Sequence, residues 1–110
     1  MAKDDQNLEP PIRAAIDATN RGDHRGFVDA FAKSGAVNDW GEMATGRGEI
    51  AKWDKASNTG AKQQLRVTGV SRIAGEVLVL LEITAASGEA SSGTWAFRLA
   101  GGKIASLEIG

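Results

Sequence analysis

The spacing of apolar residues along this chain changes period once. Up to about residue 58 it is mostly helical, and beyond Leu65 it alternates as in strands. Pro10 and Pro11 suit a helix start, where the first-turn N–H groups are not needed, and Ile12, Ala15, Ile16 and Thr19 follow as one narrow stripe. "NRGD" ends this helix, with Asp23 placed to cap the next. Phe27, Val28, Phe31 and Ala32 are spaced as the stripe of that second helix, and Ser34-Gly35 stops it. "AVNDW" then reads as a short strand, turning at Gly41-Glu42 into "MAT" as a small hairpin. Residues 48 to about 58 predict a third helix with Ile50, Trp53, Asp54 and Ser57 along one face.

The remainder predicts four strands: "KQQLRVTGVSRI", "EVLVLLEITAA", "SGTWAFRLA" and "KIASLEIG". Helices first and an antiparallel sheet last is an α+β order. With 110 residues, and no repeat or linker, one domain over residues 1–110 is expected, the first nine residues being a lead-in.

Strand parity divides the sheet. Leu65, Val67, Val79, Leu81, Ile83, Trp95, Phe97, Leu99, Leu107 and Ile109 share one face, which must pack on the helices or line a pocket. The other face mixes Arg66, Glu82, Arg98 and Glu108 with Leu78, Leu80 and Ile104. Exposed aliphatics among charges mark an interface, so a homodimer through this outer face is expected.

Composition removes options. Thirteen basic and fourteen acidic residues are scattered along the chain, leaving no basic block for nucleic acid. No cysteine is present and His24 is the only histidine, which argues against disulfides, thiolate chemistry and a zinc site; no metal or other cofactor is called for. The longest apolar run, "VLVLL", is too short to span a membrane, and the polar N-terminus lacks a signal-like segment. A soluble cytoplasmic protein is the default expectation. His24 follows the expected cap Asp23 and reads as an exposed first-turn residue. "GRGEIA" matches G-x-G-x-x-A, but a hairpin arm precedes it and an antiparallel meander follows, so it is no dinucleotide fingerprint.

One carboxylate stands out. In "AVNDW" Asp39 shares a strand face with Val37, and a carboxylate desolvated beside Val and Trp is poised for proton transfer. The structural alternative is that it accepts backbone N–H groups near the turn or pairs with Arg47. Trp53, Trp95 and Phe97, with Ile16, Phe31 and Leu81, are candidates for an apolar pocket wall as well as for core. Trp40 is a pocket lip or a surface aromatic.

The order of "AIDATNRGDHRGFVDAFA", "AVNDWG", "GRGEIAKW" and "GTWAFRLAGGKIASLEIG" resembles the nuclear transport factor 2-like superfamily in its SnoaL-like branch, over residues 10 to 110. The resemblance implies helices packed on a strongly curved sheet forming a cone (a cystatin-like α+β barrel), a pocket at one end, and frequent dimerisation through the outer sheet face. It does not imply one activity, because the fold hosts isomerases, cyclases, dehydratases and association modules. No tyrosine is present, so the ketosteroid isomerase-like oxyanion donor is missing, and none of the superfamily's well-known mechanisms transfers intact. Two expectations result. The first is a small-molecule-binding domain whose apolar pocket takes a small hydrophobic ligand, with any chemistry being proton transfer at Asp39. The second is a non-catalytic dimeric association module with a filled core.

Overall fold

The computed structural model describes residues 8–110. Nine elements follow in order: α1 (Pro10–Arg21), α2 (His24–Asp29), β1 (Phe31–Asp39), β2 (Glu42–Thr45), α3 (Gly46–Ser57), β3 (Gln64–Ile73), β4 (Glu76–Thr84), β5 (Ala90–Ala100) and β6 (Lys103–Ile109). Three helices pack on one six-stranded sheet of order β2-β1-β6-β5-β4-β3. This is the expected α+β architecture, with one correction. The sheet is mixed, because β1 runs parallel to β6 while every other pair is antiparallel. Breaks of register at Val67/Gly69 in β3, at Arg98/Leu99 between β5 and β6, and at Phe31/Ala36 in β1 bend the strands, as bulges do, and curve the sheet about the helices.

α1 begins at Pro10, its first-turn proline losing no hydrogen bond, and ends at Gly22 in the left-handed conformation. Its buried stripe includes the predicted Ile12, Ala15, Ile16 and Thr19. Asn20 fastens the end of α1 to the edge of the sheet: its amide donates to the Leu65 carbonyl at 2.9 Å and its oxygen accepts the Leu65 N–H at 2.7 Å. Of the lead-in expected over the first nine residues, 1–7 lie outside the described residues. Leu8 joins the core, and Glu9 is paired with Arg72 at 2.9 Å.

Asp23 caps α2, accepting the Gly26 N–H at 3.0 Å. That backbone bond first, and the Arg21 guanidinium second, hold the Asp23 carboxyl below its usual range. The folded chain therefore binds fewer protons at this site than the unfolded chain. Its contribution is present above the unfolded carboxylate range and lost as pH falls through the folded value. Asp23→Ala is expected to lower the melting temperature at neutral pH, the gap to wild type closing below about pH 4. Thermal unfolding across pH checks this.

The second helix is shorter than the spacing predicts. It stops at Asp29, and Phe31 opens β1 opposite Ile104. Phe31 is fully buried either way, because its strand partner places it in the core that its helical spacing also indicated. Three long-range bonds favour the strand: Arg47 grips the Phe31 carbonyl with Nε at 3.0 Å and Nη2 at 2.7 Å, and the Ile104 N–H meets the Ala30 carbonyl at 2.9 Å. Ile104 is likewise corrected, from the outer face to the core. The break of register beside Leu99 turns it inward, where it is fully buried. The apolar parity otherwise holds, with Leu65, Val67, Val79, Leu81, Trp95, Phe97 and Leu107 buried and Ile83, Leu99 and Ile109 packed partly against them. Among the described residues no helix is long and apolar enough to cross a membrane.

Candidate functional site

Asp39 closes β1 and pairs in register with Glu42, so the two residues between, Trp40 and Gly41, form the hairpin turn. Both have positive φ, 54° and 94°, as a two-residue turn of the primed type requires. The turn thus lies one residue earlier than the sequence indicated. Of the two readings of Trp40, pocket lip or surface aromatic, it leaves the surface aromatic, 80% exposed. Asp39 itself is half-buried and accepts the Trp53 indole N–H at 2.9 Å through Oδ2. Neither bland partner takes it: Arg47 serves Phe31, and the Gly41 N–H goes to the Asn38 side chain at 2.8 Å. Trp53 also borders a surface groove between β2 and α3, with Met43, Ala44, Glu49, Lys52 and Ala56 on its walls.

The other candidate wall residues come together, but in contact with one another. Ile16, Phe31, Leu81, Trp95 and Phe97 are all at most 3% exposed. Phe27, absent from the candidates, sits at their centre. Its ring lies 5.2 Å from Phe31, 5.8 Å from Trp53 and 6.3 Å from Trp95, and Trp95 lies 6.0 Å from Phe97. These are ordinary tilted and edge-on ring contacts, and the rings occupy the space between helices and sheet. The grooves that Trp53 and Leu81 border are open to the surface.

A second polar arrangement escaped sequence reasoning. Asp54, one residue beyond Trp53, is fully buried. Its Oδ1 accepts from the Asn58 amide at 2.8 Å and from the Thr59 N–H at 3.3 Å. Its Oδ2 accepts from the Thr59 hydroxyl and from His24 Nδ1, the latter at 2.7 Å. Asn58 is satisfied in turn, donating to Thr19 Oγ1 at 2.9 Å and accepting from Gln63 at 2.7 Å. A buried carboxylate surrounded by donors escapes the penalty of an unpaired one. His24 is therefore not a free first-turn residue but ties α2 to α3, with 39% of its side chain exposed. One signal was available. Asp54 interrupts an apolar helix face just before "SNTG", and a charge there must find partners. Among the described residues no three metal-ligating side chains converge.

The outer sheet face carries the expected mixture. Met43, Asn38, Glu108, Ala96, Leu78 and Ser71 form one continuous row across all six strands. Leu80 lies over Gly69 and is 41% exposed. Arg66 pairs with Glu82 at 3.2 Å and Arg98 with Glu76 at 3.8 Å. A shallow concavity follows the row, lined by Asn38, Met43, Ala96, Ser106 and Glu108 among others.

No protein-family model matches the chain, and no curated protein matches it by sequence. Solved structures do match its fold. A proposed polyketide cyclase from Sinorhizobium meliloti superposes with a TM-score of 0.87 at 23% identity, covering 96% of this chain and 98% of that one. A Catenulispora acidiphila protein with a ketosteroid isomerase-like fold, solved with trimethylamine, gives 0.82 at 18% identity, with 94% and 86% covered. A protein of unknown function from Cytophaga hutchinsonii, described as similar to nuclear transport factor 2, gives 0.76 at 15% identity, with 91% and 85% covered.

Proposed function

We propose that this chain, whose fold is that of the SnoaL-like branch of the nuclear transport factor 2-like superfamily, works as a homodimeric association module joined through its outer sheet face. The observation that carries the reading is the apolar part of the row across that face, Ala96 and Leu78 with the exposed Leu80 beside them and the exposed Met43 at its far edge, on a sheet whose other face is already filled. A second copy is the occupant that the charges favour. Arg66 and Arg98 against Glu76, Glu82 and Glu108 leave the face nearly neutral, so two copies do not repel, and a two-fold axis can bring each sign opposite the other. Apolar side chains interspersed with charged ones are the usual composition of such a contact. Sedimentation velocity tests it. Wild type is expected to be a dimer at micromolar concentration. Leu80→Glu, at an exposed site, should weaken association by about tenfold or more without loss of fold. A wild type that stays monomeric at high micromolar concentration overturns the reading.

The Trp53–Asp39 contact favours a second reading, in which a small organic molecule binds the groove between β2 and α3. The indole ring would supply an apolar wall, and Glu49 and Lys52 polar anchors. Asp39, which does not itself line the groove, would fix the ring through Oδ2 and be the carboxylate for any proton transfer on the indole side of the site. The trimethylamine-bound relative shows a small organic ligand on this fold. Trp53→Phe is expected to cost about 1 kcal/mol of stability, since it removes a hydrogen bond to a charged but half-buried acceptor. If the groove binds, the same variant should also abolish the fluorescence response to the apolar dye anilinonaphthalene sulfonate. A response that survives in the variant, or none in wild type, counts against this reading.

A further inference from the structure

We propose that Asp54 and His24 form a general-base dyad, separate from Asp39, that activates water against small acyl esters carrying a negative charge. Three groups donate to the Asp54 carboxylate, the Asn58 amide, the Thr59 N–H and the Thr59 hydroxyl, and His24 Nδ1 lies 2.7 Å from Oδ2 as the fourth contact. An ionised carboxylate only accepts, so His24 is the donor through Nδ1–H, and that fixes its tautomer. In a neutral ring so held, Nε2 carries the free lone pair. Nδ1 is tied to a residue of zero exposure, whereas 39% of the His24 side chain reaches solvent. Nε2 takes no partner among the described residues.

This arrangement exceeds what holding the helix end requires. Asn58, the Thr59 N–H and the Thr59 hydroxyl already supply both Asp54 oxygens with donors, and the Asp54 carbonyl separately accepts the Asn58 and Gly60 N–H groups at 3.0 and 3.2 Å. Among the described residues His24 is the one side-chain partner of Asp54 from another helix. A buried carboxylate that orients an imidazole and stabilises the imidazolium formed on proton transfer is the working half of a hydrolytic triad. Water would stand in for the side-chain nucleophile.

The substrate class comes from the surface alongside. The end of α1 and the loop after α3 enclose a concavity that shares Thr19 and Thr59 with the buried network and bears two cations, Arg21 and Lys62. Arg21 precedes His24 by three residues, and its partner Asp23 holds it from 3.3 Å at the surface, where water screens the pair. An ester with a carboxylate at its far end would meet both cations. In the step itself, Nε2 takes a proton from water as the water oxygen bonds to the acyl carbon. The tetrahedral intermediate then expels the alkoxide, which receives that proton from Nε2–H. Ester and water become carboxylic acid and alcohol, and the dyad is restored.

The test uses the full chain with two probes, neutral 4-nitrophenyl acetate and the anionic mono-4-nitrophenyl ester of glutaric acid. Wild type is expected to hydrolyse the anionic ester about 100-fold faster than an equal concentration of free imidazole, the usual scale of positioned general-base catalysis. His24→Gln should remove that excess while remaining folded at the assay temperature, with a melting temperature lowered by only about 4–8 °C. Arg21→Gln and Lys62→Gln should raise KM for the anionic ester and leave the neutral one unchanged. Asp54→Asn acts through His24 and should lower kcat with little change in KM. If Asp54→Asn does not fold, the His24→Gln and imidazole comparisons decide alone. A wild-type rate no higher than that of free imidazole, or a rate that survives His24→Gln, overturns the proposal. Equal effects of the two cation variants on both esters would overturn the assigned substrate class.

Discussion

Gly60→Ala is expected to unfold this protein or nearly so. A Cβ built on Gly60 would stand 1.6 Å from the Lys55 carbonyl oxygen and 2.5 Å from its carbon. Both are backbone atoms of the last turn of α3, so no side chain can swing aside. The crowding arises because the chain folds back across the end of the helix, where the Gly60 N–H reaches the Asp54 carbonyl. Relief requires moving the loop, which also carries Thr59 away from Asp54. The cost should exceed the usual range of overpacking, at about 4 kcal/mol or more. Urea denaturation against wild type measures it, and Gly48→Ala serves as a control: a Cβ at Gly48 meets nothing within 4 Å and should leave stability within about 1 kcal/mol.

Asp54→Ala should cost nearly as much, about 3–5 kcal/mol, because it leaves the Asn58 amide, the Thr59 N–H and hydroxyl, and His24 without their acceptor. Removing a partner from the other side should be milder. His24→Gln withdraws one donor of four from a half-exposed position and is expected to cost about 1 kcal/mol. Denaturant midpoints of the two variants check the asymmetry. Comparable losses would mean that His24, rather than the loop, carries the buried carboxylate.

These two sites show where local reading of the chain runs out. The helix starts and ends follow from chemistry within a few residues: Pro10, Gly22 and Asp23 act where they stand. The apolar parity of β3 to β6 is legible for the same reason, since alternation is a property of each strand alone. Phe31 fails because helix and strand spacing coincide there; what decides is Ile104, which no local pattern brings near. Ile104 in turn is misplaced by one break of register, a single inserted residue that reverses every face assignment beyond it. Asp39 was legible as a group sharing a face with Val37, but its actual partner, the indole of Trp53, was not. Asp54 announced that it needed partners without naming His24, which lies thirty residues earlier and on another helix.

The parallel pairing of β1 with β6 also bears on how the fold is reached. β1 is an inner strand, yet its neighbour on one side is the last element of the chain, with Val37 opposite Leu107. The helices can form early, but the sheet surface on which α1 and α2 rest is incomplete until Lys103–Ile109 arrives between β1 and β5. Contacts so distant in sequence slow the search for the native state, because the loop must close before they repay it. During synthesis on the ribosome, the first half of the chain must therefore wait until β6 has been made, with one side of β1 unpaired. That interval is when a growing chain is most open to chaperones and to misassociation.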